Sequence, residues 1–147
     1  MRIQERYTAI SKCENMCSAG KAATTYYIKA YQGDTLLHHN SLFSLTDIKD
    51  CNQDLEKTYL VRIYSEFEVT LRDYWEKGLG KRTKPCAQVL IDRIASRSYV
   101  QADVLSNVHS VRKYRNSLVH GGPVIPITLG ESRRYLCQFL SNLPKNW

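Results

Sequence analysis

Apolar residues recur along most of the chain at steps of three and four, which is the period of an amphipathic α-helix. No stretch keeps up the apolar and polar alternation of a half-buried β-strand. The clearest stripe predicts a helix over about residues 46–77, ended by Gly78 and Gly80. Its apolar positions are Ile48, Leu55, Leu60, Ile63, Phe67, Leu71 and Tyr74.

Three shorter helices are predicted after this one. The first covers about 85–98, with Pro85 placed near its first turn. The second covers about 101–119 and stops at Gly121. The last begins at Thr128, where Thr128 and Glu131 form a capping-box signature. The apolar positions of the last two helices are Val104, Val108, Val111, Leu118, Tyr135, Leu136, Phe139 and Leu140.

The first 45 residues give a weaker pattern. Residues 5–30 are compatible with one helix or with a broken pair, because Gly20 and Thr24 are poor helix formers and apolar positions are sparse. The stretch from 31 to 45 predicts a loop or lid. Ser44 and Asp47 then predict a second capping box, at the start of the long helix.

Four or five helices with short connections predict an all-α fold, an antiparallel four- to five-helix bundle. A chain of 147 residues is sized for a single domain over 1–147, with a core that needs neither disulfides nor a structural metal to fold. The composition excludes a wholly disordered, collagenous or integral membrane protein.

The net charge and the cysteines indicate the type of partner and the cellular compartment. Lys and Arg number 21 against 14 Asp and Glu, a net charge of +7 that favours an anionic partner, nucleic acid first. Five cysteines without CxxC spacing and a polar start predict a cytoplasmic protein with reduced thiols and no membrane association. Cys13 and Cys17 with His38 and His39 allow a zinc site to be drawn, but buried free cysteines are the commoner outcome.

Arg115 stands where the stripe of the 101–119 helix predicts a buried position. An unpartnered guanidinium is costly to bury, so this residue is either displaced to the surface or held for an anion or a carboxylate. A second series of polar residues, at steps of three, four and four, lies along one side of the same helix. Its members are His109, Arg112, Asn116 and His120.

The string RNSLVH, from Arg115 to His120, resembles the Arg-x4-6-His signature of the HEPN superfamily, in which a polar residue, often Asn, follows the arginine. The segment RIYSEFEVTLRDYW at 62–75 resembles an earlier bundle helix of that family, and the similarity covers about residues 46–142. Residues 1–45 form an N-terminal helix and loop of uncertain role. The resemblance implies a dimeric helical bundle that cleaves RNA without a metal or other cofactor and leaves 2′,3′-cyclic phosphate ends.

Such chemistry needs a base for the 2′-OH, an acid for the 5′-oxygen and positive charge for the transition state. Imidazole, with an unperturbed pKa of about 6.5, serves as acid or base, whereas arginine clamps phosphate oxygens. We therefore expect Arg115 and His120 to be catalytic and Asn116 to orient His120, the phosphate or a hydroxyl. On an ideal helix Arg115 and His120 are about 140° apart, so a homodimer with a composite site is expected.

Other residues have weaker claims to the site. Arg62, Arg112 and Lys113 are candidate RNA contacts, with ordinary surface charge as the alternative. Glu68 is a candidate to hold Arg115 or a histidine from the long helix. The basic loop at 77–84 is either a phosphate-steering patch or a solvated turn.

Two functions remain open at this point. The first is a metal-independent endoribonuclease, acting as a toxin or antiphage defence effector and restrained by an antitoxin or a defence-complex partner. The second is a non-catalytic HEPN module that binds nucleic acid or nucleotide, or docks a larger complex. Gly122 stands where toxins paired with nucleotidyltransferase antitoxins commonly carry a modified tyrosine, so that form of restraint is not expected.

Overall fold

The computed structural model describes residues 3–34 and 42–147, and these residues form five α-helices with no β-strand among them. The prediction of an all-α chain with four or five helices is therefore confirmed. The helices are α1 (Ile3–Gly33), α2 (Leu45–Asp73), α3 (Ala87–Arg97), α4 (Ala102–His120) and α5 (Leu129–Leu140).

α1 is one continuous helix of 31 residues rather than a broken pair, and its last turn takes residues 31–33 from the predicted loop. Its poor helix formers make close contacts with α2. A Cβ at Gly20 would lie 3.3 Å from Leu55 Cδ1, so α1 approaches α2 closely there. The Thr24 hydroxyl donates to the Gly20 carbonyl at 2.9 Å and accepts from Asn52 Nδ2 at 2.6 Å. Packing against α2 thus offsets the weak intrinsic propensity.

α1 and α2 run antiparallel, as the order of their contacts shows. Lys21 pairs with Glu56 at 2.8 Å near one end of the pair, and Arg6 lies 3.8 Å from Glu66 near the other. α2 also contacts α3, α4 and α5, so it is the central helix.

The core follows the predicted stripes. Phe67 of α2 meets Phe139 of α5 edge to face, with ring centres 5.6 Å apart. Ile48, Leu55, Leu118 and Tyr135 are only half-buried. The predicted positions that are buried are Leu60, Ile63, Phe67, Leu71, Tyr74, Val104, Val108, Val111, Leu136, Phe139 and Leu140.

α2 ends in one turn of π-helix, Tyr74–Gly78, which the sequence pattern did not predict. A side chain at Gly78 would collide with the Tyr74 ring. Trp147 covers this turn: its ring meets Tyr74 at 5.1 Å between centres, and its Nε1 donates to Asp73 at 2.7 Å.

Both predicted capping boxes are present, at Ser44 with Asp47 and at Thr128 with Glu131. α4 ends at Gly121, as predicted, where the backbone takes a φ of +80° that favours glycine. None of the helices in the described part of the chain is both long enough and apolar enough to cross a bilayer.

Candidate functional site

Arg115 remains at the edge of the core rather than turning fully to solvent. The residue is half-buried, and its guanidinium carbon lies 5.7 Å from the ring centre of Tyr64 on α2. Its Nη1 donates to Asn116 Oδ1 at 3.1 Å, while its Nε is buried and finds no hydrogen-bond partner in the part of the chain that the structure describes. Contact with the aromatic face of Tyr64 therefore explains how a charged residue occupies a position that the apolar stripe predicts to be buried.

The Tyr64 hydroxyl is also buried and has no hydrogen-bond partner among the described residues. Burial is the main cause that raises the pKa of Tyr64 to about 12, and the Glu68 carboxylate raises it further. Three arginines oppose this shift: Arg112, Arg115 and Arg72. Tyr64 is therefore a neutral phenol whose pKa is affected by three arginines and one carboxylate, carried by α2 and α4.

His120 is the last residue of α4 and is exposed. It lines an open pocket of about 310 Å³ together with Lys113 and Asn116. Gly121 and Gly122, with φ of +80° and +122°, form part of the wall, so the backbone borders the imidazole without side chains. The pocket offers one imidazole, one ammonium and one amide to a ligand.

Arg115 does not line this pocket. The two expected catalytic residues thus face different sides of α4 within one chain, in keeping with the angle expected between them. Asn116 connects the two sides, because its Oδ1 holds Arg115 while its residue lines the His120 pocket.

The other two members of the polar series, His109 and Arg112, bind α3. Arg112 Nη2 donates to Gln88 Oε1 at 3.2 Å, and Arg112 Nε donates to His109 Nδ1 at 3.4 Å. His109 Nδ1 must then be an acceptor, so Nε2 carries the proton and donates to Asp92 Oδ1 at 2.7 Å. These contacts hold α4 against α3. They also occupy part of the hydrogen-bonding capacity of the Arg112 guanidinium.

The two candidates on α2 differ in position. Glu68 accepts from Arg72 Nε at 3.0 Å and has no hydrogen bond to Arg115, although it lies close enough to affect Tyr64. Arg62 is exposed, 6.0 Å from the Tyr59 ring centre, and its charge acts on Cys13 of α1. The structure therefore brings Glu68 near the Arg115 side but leaves Arg62 on the side toward α1.

The sequence pattern did not predict Tyr64, which contacts Arg115, or Arg72, which pairs with Glu68. The available signal was spacing, since Tyr64, Glu68 and Arg72 follow each other at steps of four and so share one side of a helix. Four residues were considered above for a zinc site. Of these, Cys13 and Cys17 are buried in the core, and His38 and His39 lie outside the described residues.

Comparison with known proteins gives no match to a family model, to a curated protein or to a solved structure. The arguments for function therefore come from the residues and their arrangement.

Proposed function

We propose that this chain is a metal-independent endoribonuclease of HEPN type that acts as a homodimer, as a toxin or antiphage defence effector in the cytoplasm. The observation that supports the proposal is that one end of α4 carries two groups suited to this chemistry. The guanidinium of Arg115 is partly buried and incompletely hydrogen-bonded, and the imidazole of His120 is exposed beside an open pocket. Asn116 contacts the first and borders the second.

The proposed reaction needs only groups that the chain supplies. One His120 takes the proton from the ribose 2′-OH, and the 2′-oxygen attacks the adjacent phosphorus. The bond from phosphorus to the 5′-oxygen breaks, and His120 of the partner subunit, acting from its protonated imidazolium form, gives that oxygen a proton. Arg115 stabilises the charge that develops on the non-bridging oxygens. The products are a 2′,3′-cyclic phosphate and a 5′-hydroxyl.

A second copy of the chain is needed because Arg115 and His120 face different sides of α4. A twofold axis near the end of α4 would bring two arginines and two imidazoles into one cleft. Apolar surface suited to such a contact lies close by: Val119 is 48% exposed and Ile125 is 84% exposed. Exposed side chains of this type are typical of interface cores.

The alternative is a non-catalytic HEPN module that binds RNA or nucleotide, or docks a larger complex. One observation favours it: in the single chain, Arg115 already donates to Asn116 and is turned away from the pocket that holds His120. A module of this kind would use Lys113, Asn116 and His120 as ligands for a phosphate without cleaving it.

Incubation with total RNA and tRNA in excess EDTA separates the two functions. We expect the wild-type protein to produce cyclic phosphate ends, and Arg115→Ala and His120→Ala each to lower the cleavage rate by about 100-fold or more, which is the usual contribution of such groups.

His109→Gln is the matched control, because it changes a histidine of the same helix that contacts Asp92 and Arg112 rather than the pocket, and the glutamine amide keeps one donor and one acceptor for those contacts. It should cleave at the wild-type rate. Full activity in either the Arg115 or the His120 variant would reject the nuclease mechanism, and RNA binding without cleavage by the wild type would support the module.

A further inference from the structure

The loop that joins the π turn to α3 is bordered by two adjoining pockets of about 520 Å³ and 510 Å³. Both are lined by Trp75, Lys81 and Thr83. We call the two together the basic cleft. Its cationic side chains, besides Arg72, are Lys81, Arg82, Lys84, Arg93 and Arg97.

These five cations have no ion pair and no side-chain hydrogen bond among the described residues. Among the described residues, Glu76 is the one carboxylate that lines the cleft. Some cations elsewhere on the surface do have a counter-charge, as in Lys21 with Glu56 and Lys57 with Asp54. Cations collected without counter-charges repel one another, so this group is better explained by an anionic ligand than by stability.

The loop is held in place by hydrogen bonds rather than by its charged side chains. Trp75 Nε1 donates to the Thr83 carbonyl at 3.0 Å, and the Lys81 N–H donates to the Trp75 carbonyl at 3.0 Å. Arg72 Nη1 donates to the Pro85 carbonyl at 3.2 Å. The cations of the cleft therefore extend from a fixed backbone, which lowers the entropy lost on binding a ligand.

The cleft continues the line of arginines that begins at Arg115. Arg115, Arg112 and Arg72 all act on Tyr64, and Arg72 also lines the cleft. Along α2, Tyr64 and Trp75 are separated by roughly 16 Å. A row of cations over this length, with two pockets at its end, suits a chain of phosphates better than a single small anion.

We propose that the basic cleft binds the phosphodiester backbone of the RNA strand, away from the Arg115 and His120 site. This inference rests on the proposed function for the identity of the polyanion. Its test, however, uses binding alone and so does not depend on cleavage.

The test measures binding of a fluorescent 2′-O-methyl RNA oligonucleotide, which lacks the attacking hydroxyl, at a series of salt concentrations. The cleft variant is Arg82→Gln/Lys84→Gln/Arg93→Gln, and all three positions are exposed. The matched control is Lys12→Gln/Lys29→Gln/Lys49→Gln, which removes the same charge from exposed positions on α1 and α2.

We expect the cleft variant to bind about tenfold more weakly than the control, with a salt slope reduced by about 2, as for the loss of three phosphate contacts to a single strand. Equal affinity and slope in the two variants would overturn the inference, even if the wild type cleaves RNA. Displacement of the RNA by polyglutamate at equal charge would also overturn it, in favour of an acidic protein partner. A cleft-dependent loss of binding in a chain that cleaves no RNA would support the cleft and reject the nuclease.

Discussion

Tyr64 places a hydroxyl in the core without a hydrogen-bond partner, at an expected cost of about 1–3 kcal/mol. The ring offsets part of that cost, because a guanidinium over an aromatic face contributes about 0.5–2 kcal/mol. Tyr64 thus holds Arg115 at the edge of the core, where the arginine Nε has no hydrogen-bond partner among the described residues. In the proposed nuclease it would be a positioning residue for the arginine.

Replacement of Tyr64 by Phe keeps the ring and removes the hydroxyl, so we expect the free energy of unfolding at pH 7 to rise by about 1 kcal/mol. The native pKa of about 12 lies above the ordinary value of 10.0, so the titration of this phenol costs no stability below pH 10. Above pH 10 the unfolded chain ionises while the native phenol stays neutral, and about 3 kcal/mol of stability is lost as the pH rises through 12. Denaturant unfolding at pH 7 and pH 11 measures both effects.

The control for this prediction is Tyr26→Phe, since Tyr26 is 77% exposed and its hydroxyl is solvated. It should leave the stability unchanged at both pH values. An alkaline loss of stability as large in Tyr64→Phe as in the wild type would contradict the assignment to Tyr64.

The sequence alone predicted that Arg115 is a charged residue at a buried position, but it did not predict the contact with Tyr64 that accommodates the charge. The stripe marks the position as buried, and the identity of the residue marks it as costly. Tyr64 lies in another helix, and no local pattern states which aromatic ring will face position 115. The three-dimensional packing of α2 on α4 supplies that information.

The helices themselves were predicted from their period and caps because both signals are local. α3 and α4 begin and end within about two residues of the predicted bounds, and α5 begins directly after the predicted cap, Thr128. The sequence left open whether α1 is one helix or a broken pair, and it did not predict the π turn, because both depend on distant residues. Gly20 and Thr24 pack on α2, and the turn at Tyr74 packs against Trp147 at the other end of the chain.

Glu56 joins three helices and gives a test at this scale. Its carboxylate accepts from Lys21 of α1 at 2.8 Å and from the Leu129 N–H at the start of α5 at 2.9 Å. The Lys21 hydrogen bond, followed by the Leu129 hydrogen bond, lowers the pKa of Glu56. We expect Glu56→Gln to reduce the free energy of unfolding at pH 7 by about 1 kcal/mol, since the carboxylate is partly solvated.

The pH dependence of this effect has a definite sign. A lowered native pKa stabilises the fold above the ordinary value of 4.5, and this stabilisation is lost as the pH falls through the native pKa. The difference between wild type and Glu56→Gln should therefore shrink on acidification. Asp54→Asn, which breaks the exposed pair with Lys57, should leave the free energy of unfolding almost unchanged both at pH 7 and after acidification. Equal destabilisation by the two variants would show that Glu56 does not link the helices.

At the scale of the whole molecule, two groups of cations bear on the proposed function. One is at the end of α4, with Lys113 and Arg115, and the other is the basic cleft beside α3. Arg72 lies between them on α2. The sequence predicted the net charge of +7 and the basic loop, but the arginines of α3 join that loop only in the folded chain.

The composite dimer is the central prediction at this scale, and isolated mixed dimers of differently tagged chains test it. If the single cleft uses His120 of one subunit as base and His120 of the other as acid, a dimer of wild type with His120→Ala has only one imidazole and should cleave at least about 100-fold more slowly than wild type. A dimer of Arg115→Ala with His120→Ala should be impaired in the same way. If each chain instead carried a complete site of its own, the dimer of wild type with His120→Ala would keep one intact site and about half of the wild-type activity, and the composite site would be rejected. Since Arg115 and His120 face different sides of α4, we expect the first result.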